Sequence, residues 1–129
     1  MILLDSSVWI ASFQRRDPID LEAVVDLDDV VTCLPVVQEI LQGFRDEAAF
    51  RVARSSMLSF PIVESPLRQQ VVLDAVALYR TARRAGVTVR SSVDCLIAAC
   101  ALRHDLEVVH RDRDYPALAQ VSGLRQRGI

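Results

Sequence analysis

Three strand-length apolar runs, each followed by residues of helical periodicity, constrain this chain more than any other feature. Met1–Leu4 is apolar throughout and stops at Asp5, Val30–Leu34 is rich in β-branched residues, and Leu106–His110 carries Leu106, Val108 and Val109. Short runs without alternation fit strands covered on both faces, the condition of a parallel sheet. The first run ends on an acid, as a buried strand does where it reaches its carboxyl edge.

The segments between read as helices. Ser6 or Ser7 is expected to cap a short helix through Val8, Trp9 and Phe13. Asp17-Pro18 is expected to open a second, with Leu21, Val24, Val25 and Leu27 facing inward. Pro35 starts a third that carries Val36, Val37, Ile40 and Leu41 and ends near Gly43. Asp46–Leu58 reads as another, and Phe60–Val63 as a short strand or extended link. Val71, Val72, Ala75, Leu78 and Tyr79 repeat at helical spacing within Pro66–Ala85, where Gly86 suits the C-terminal end. Ser91 or Ser92 caps a nearly all-apolar helix over Val93–Leu102, which must be buried on most sides. The final run leads into Arg111-Asp112-Arg113-Asp114-Tyr115 and a short helix at Pro116–Val121. Strands that alternate with helices predict an α/β fold with a mostly parallel sheet and right-handed crossovers. No repeat or Gly/Ser-rich linker divides residues 1–129, so one domain is expected.

With 51% hydrophobic and 25% charged residues the chain reads as globular rather than disordered. No apolar run approaches the roughly 18 residues of a membrane span. The start, MILLDSS, lacks a basic region ahead of a long apolar stretch, so no secretory leader and a cytoplasmic location are expected. Cys33, Cys95 and Cys100 form no C-x-x-C pair, and His104 and His110 are scattered, which argues against a disulfide framework or a zinc site. A net charge of -2 does not advertise a nucleic-acid binder. All fifteen basic residues are arginine, so chemistry that needs lysine is excluded. A phosphoacceptor receiver domain falls on that ground. A haloacid-dehalogenase-type phosphatase falls because Ser7 stands where its second acid is required.

Five acids remain. Ligand sites of open α/β sheets lie beyond the carboxyl ends of the strands. Asp5 ends the first strand, Asp112 and Asp114 follow the last, and Asp94 lies in the first turn of a buried helix, where the macrodipole favours a carboxylate. Glu39 interrupts an apolar helix, a costly position for an acid unless it is paired or binds a cation. Each has a plain alternative as cap, turn or surface residue, with Arg111 and Arg113 able to hold Asp112 and Asp114. Convergence at one sheet edge is the stronger reading. Carboxylates gathered there repel unless a cation neutralises them, and without His or Cys ligands that cation is hard, hence Mg2+ or Mn2+.

The spacing of these acids resembles that of PIN-domain ribonucleases, specifically the VapC-type toxins of bacterial toxin–antitoxin modules. Four segments carry the resemblance: Ile2-Leu3-Leu4-Asp5-Ser6-Ser7-Val8-Trp9-Ile10; Pro35 to Gly43, which bears Glu39; Ser92-Val93-Asp94-Cys95-Leu96-Ile97-Ala98-Ala99; and Val108 to Tyr115. Together they span essentially the whole chain. The resemblance implies a three-layer α/β/α PIN-like fold and metal-dependent hydrolysis of RNA, such as transfer or ribosomal RNA. It makes Asp5 and Asp94 the principal Mg2+ ligands, with Glu39, Asp112 and Asp114 completing the pocket. Ser6 or Ser7 would orient a carboxylate or a substrate phosphate, and Arg111 and Arg113 would contact substrate. A cognate antitoxin, a homodimer or toxin–antitoxin hetero-oligomer, and operator DNA bound only through the antitoxin are implied as partners. Two positions depart from the pattern. His110 stands where a Thr or Ser is usual, and Tyr115 replaces the commoner Phe, a change expected to be mild. A catalytically silent binding subunit and a stand-alone RNA-processing nuclease stay open as alternatives.

Overall fold

The computed structural model describes residues 1–129. Its centre is a five-stranded sheet built from β1 (Ile2–Leu4), β2 (Val30–Cys33), β3 (Ile62–Val63), β4 (Glu107–His110) and β5 (Gln126–Gly128). The order is β3-β2-β1-β4-β5 and every neighbouring pair is parallel. β1 pairs Leu3 with Val31 on one side and with Val108 on the other. The chain therefore builds outward from β1 in one direction, then returns to add β4 and β5 on the opposite side. The reversal leaves a crevice at the carboxyl ends of β1 and β4, where such sheets bind ligands.

Six helices cover the sheet: α1 (Ser6–Phe13), α2 (Leu34–Leu41), α3 (Glu47–Ser59), α4 (Gln69–Arg84), α5 (Ser92–Arg103) and α6 (Asp114–Ala119). Leu3, Leu4, Val30, Val108 and Val109 are buried, as non-alternating strands require. α5 is buried from Ile97 to Ala101, and its small side chains let it lie close to its neighbours. Gly86, at φ 73°, takes the left-handed position that ends α4. Away from the crevice, the buried Glu64 accepts from Arg103 Nε at 3.0 Å and pairs with His104 Nε2 at 2.9 Å, which ties the end of β3 to the C-terminus of α5.

Two expectations need correction, and one strand lies outside them. The segment after Asp17-Pro18 is not an α-helix but two 3-10 turns, Leu21–Ala23 and Leu27–Asp29. Asp20 and Asp26 each accept the N–H two residues on, so short side chains capture backbone donors and stop a longer helix from growing. The cap of α1 is Asp5 rather than Ser6 or Ser7, its side chain accepting from Ser7 N–H. The strand β5 has no counterpart in the sequence reading, because Gln126-Arg127-Gly128 has no apolar pattern and is a strand only through its ladder to β4.

Candidate active site

Backbone geometry brings all five acids to the crevice. Asp5 leaves β1 directly, its N–H donating to Val109 O of β4 at 2.9 Å, and is 1% exposed. α2 follows β2 without a loop and carries Glu39 one and a half turns later. Asp94 lies in the first turn of α5 and is 4% exposed. The turn after β4 supplies half-buried Asp112 and, as α6 begins, Asp114.

Two overlapping clusters result. Carboxylate oxygens of Asp5, Glu39 and Asp94 lie within 4.8 Å of one another, and so do those of Asp94, Asp112 and Asp114. Asp94 is the shared member. None of the five makes an ion pair; the ion pairs of the molecule lie elsewhere. Arg111 and Arg113 are exposed and leave Asp112 and Asp114 uncompensated.

The remaining polar groups orient the acids. Ser6 Oγ donates to Glu39 Oε1 at 3.0 Å. Ser7 Oγ donates to Asp5 Oδ2 and accepts the Arg111 N–H at 3.0 Å, linking α1 to the turn after β4. Both hydroxyls are thus engaged with carboxylates or the adjoining turn. Tyr115, fully buried, donates its hydroxyl to Asp5 Oδ1 and lies 3.4 Å from Asp94 Oδ1. The replacement of Phe by Tyr is therefore not mild in place or chemistry: it puts a donor between two acids. Asp114 accepts Arg90 N–H at 3.0 Å on one oxygen and Ser91 N–H at 2.9 Å on the other, so it also fixes the backbone that enters α5.

Titration follows from crowding. Burial, the neighbouring Asp114 carboxyl and the charge of Asp5 push the Asp94 carboxyl up to about 9. Burial raises Glu39 as well, helped by the charges of Asp5 and Asp112 and opposed by the Ser6 hydroxyl. Burial, then the charges of Asp5 and Asp94, hold the Tyr115 phenol protonated. A cation would relieve each of these strains. The residues fit one: the donor set is all oxygen, no internal counter-charge competes, and Asp94 Oδ2 is buried without a hydrogen-bond partner. Grooves reach the acids from two sides. A groove of 310 Å³ between α1 and α2 has Glu39 in its wall, and one of 510 Å³ runs past Arg90, Arg113 and Asp114.

The sequence reading missed Tyr115 as a polar member and Gln126 as a neighbour of the turn. The Tyr-for-Phe difference was visible; nothing in the sequence near Gln126 pointed to the crevice.

Known proteins bear on this geometry. The PIN domain family model matches residues 2–121. Ribonuclease VapC11 of Mycobacterium tuberculosis is 36% identical over 133 aligned positions, covering 97% of this chain and 96% of that protein. VapC ribonuclease Mb1587 of Mycobacterium bovis matches to the same extent, 36% with 97% and 96% covered. Among solved structures, FitAB bound to an IR36 DNA fragment gives a TM-score of 0.76 at 21% identity, covering 99% of this chain and 94% of the other. VapBC-5, a toxin–antitoxin system member from Mycobacterium tuberculosis, gives 0.74 at 22%, covering 99% and 98%. At those identities the structures establish the fold. The family match over most of the chain and the full-length relatives establish descent, and the chain belongs to the PIN-domain family, among its VapC ribonucleases.

Proposed function

We propose that this protein is a toxin of a toxin–antitoxin pair that hydrolyses phosphodiester bonds of structured RNA, transfer or ribosomal RNA, with Mg2+ or Mn2+. The observation that carries the reading is the five-acid cluster, three buried and two half-buried, with no internal counter-charge, in a chain related along its length to ribonucleases. Asp5 and Asp94 are the principal ligands in this reading; Glu39 and Asp112 complete the set, with Asp114 nearby. A divalent ion bound there supplies a Lewis acid, which draws charge from a phosphodiester oxygen and acidifies an attacking water.

The chain's own residues do the rest. Ser7 and Tyr115 hold the two oxygens of Asp5 in fixed directions. Ser6 donates to Glu39 Oε1 and so orients that carboxylate beside Asp5 and Asp94. Arg111 and Arg113, exposed beside the crevice, contact the flanking phosphates of the RNA. These arginines supply local positive charge that the net charge of -2 conceals.

The partner is a cognate antitoxin, a reading supported by the fold neighbours, which include toxin–antitoxin complexes. DNA-bound complexes of that kind, FitAB and the VapBC of Salmonella typhimurium, support contact with operator DNA through the antitoxin. The protein works in the cytoplasm, as a homodimer or within the toxin–antitoxin hetero-oligomer; no helix is long and apolar enough to cross a membrane. The test is incubation of wild type, Asp5→Asn and Asp94→Asn with a panel of transfer and ribosomal RNAs. Wild type cuts a defined site with Mg2+ or Mn2+ and not in EDTA, and both variants are inactive. Cleavage that persists in the variants, or none by wild type on any RNA, sinks the reading.

A further inference from the structure

The turn that leaves β4 depends on a side chain with no role so far. His110 is 3% exposed, and both of its ring nitrogens are committed. Nδ1 accepts the Asp112 backbone N–H at 3.1 Å. A backbone amide can only donate, so Nδ1 is bare and the ring proton is on Nε2. Nε2 donates that proton to Gln126 Oε1 at 2.6 Å. Strand β5 and helix α6 pack on this ring: a Cβ added to Gly128 would meet His110 Cε1 at 3.6 Å, and the Tyr115 ring centroid lies 4.9 Å away.

We propose that His110 is a positioning residue for the Asp112 carboxylate, with Gln126 fixing its tautomer. A Ser or Thr hydroxyl accepts the N–H two residues ahead in an ST turn. His110 Nδ1 supplies that acceptor here, over the same two-residue step. The rest of the turn follows from it. Asp112 Oδ1 accepts the Asp114 N–H at 2.9 Å, Asp114 grips the backbone entering α5, and the Arg111 N–H is held by Ser7 Oγ. Remove the acceptor and the Asp112 N–H is left without a partner, which frees the turn to rotate. β5 thereby contributes to the site through Gln126, although it carries no acid.

This inference rests on the metal-site reading, and its test separates the two. In metal-free protein, ¹⁵N NMR shows His110 with a bare Nδ1 and a protonated Nε2, and the Asp112 amide exchanges slowly. His110→Phe keeps a ring on Tyr115 but loses the acceptor; His110→Thr and His110→Asn restore an acceptor by hydroxyl or amide oxygen. Mn2+ binding by calorimetry weakens about tenfold or more in His110→Phe and returns to within about threefold of wild type in the Thr and Asn variants, the range for partners of metal ligands. Gln126→Leu weakens Mn2+ binding in the same direction and mixes the tautomers. The proposal is overturned if His110→Phe binds Mn2+ like wild type, or if the Thr and Asn variants are as impaired as Phe. Should His110→Phe not fold, Gln126→Leu and the wild-type tautomer decide it: a protonated Nδ1 overturns it. If wild type and Asp94→Asn bind Mn2+ equally, the metal reading fails, and amide exchange at Asp112 in His110→Phe against His110→Thr still decides the role of His110.

Discussion

Asp94 is the residue on which the two acid clusters join, and its position explains why it resists ionisation. It is buried, it lies among four other acids, and one of its oxygens has no partner. Asp94→Asn removes that charge while keeping the shape. The expected outcome is a loss of metal-dependent cleavage by at least about 100-fold, because a hard ion loses a charged ligand, together with a higher melting temperature for the metal-free variant at pH 8. Cleavage assays and thermal scans on the same samples check both parts. Tyr115 is the second informative residue. Tyr115→Phe deletes the hydroxyl that Asp5 accepts from, and should lower the stability of the metal-free protein by about 1–3 kcal/mol, the usual value for a buried hydrogen bond to a charged group. Urea unfolding in EDTA measures it; an unchanged midpoint would show that the hydroxyl is idle.

Elements were legible where packing and local pattern agreed. α5 is apolar on nearly every face, and the structure buries it between the sheet and α4, with Asp94 as its one buried acid. Ala98 is fully buried in that helix. Ala98→Leu should cost about 1–3 kcal/mol by overpacking, and it should weaken Mn2+ binding as α5 shifts against the crevice. A variant as stable as wild type would mean that the α5 contact is looser than its burial implies. The segment from Asp17 to Asp29 shows the opposite case. Its apolar residues repeat at helical spacing, but Asp20 and Asp26 offer the backbone nearer partners, and the local hydrogen bonds prevail.

At the scale of the molecule, the acid cluster sets how stability depends on pH. Unfolded Asp94 loses its proton near 3.8, whereas folded Asp94 keeps it to about 9. Between those values the folded state carries the extra proton, so stability falls as pH rises through that window. Glu39, also raised, acts in the same sense. Melting temperature in EDTA should therefore decline from about pH 4 toward pH 9, and millimolar Mn2+ should flatten the decline by neutralising the cluster. A metal-free profile that rises over that range would contradict the crowding of the acids.

The sequence by itself determined the alternation of strand and helix, the burial of both sheet faces and the five acids, because these depend on residue type and period along the chain. It also placed Asp5 at a strand end and Asp94 at a helix start, since those positions have local signatures. What only the tertiary structure decided is which groups meet. The Tyr115 hydroxyl reaches Asp5 across 110 positions, Ser7 reaches Arg111 across 104, and Gln126 reaches His110 from a strand with no apolar pattern. Such contacts follow from strand order, which places β1 and β4 side by side at the point where the chain reverses direction. A one-dimensional pattern shows that a residue is polar at an edge; the fold alone shows what it faces there.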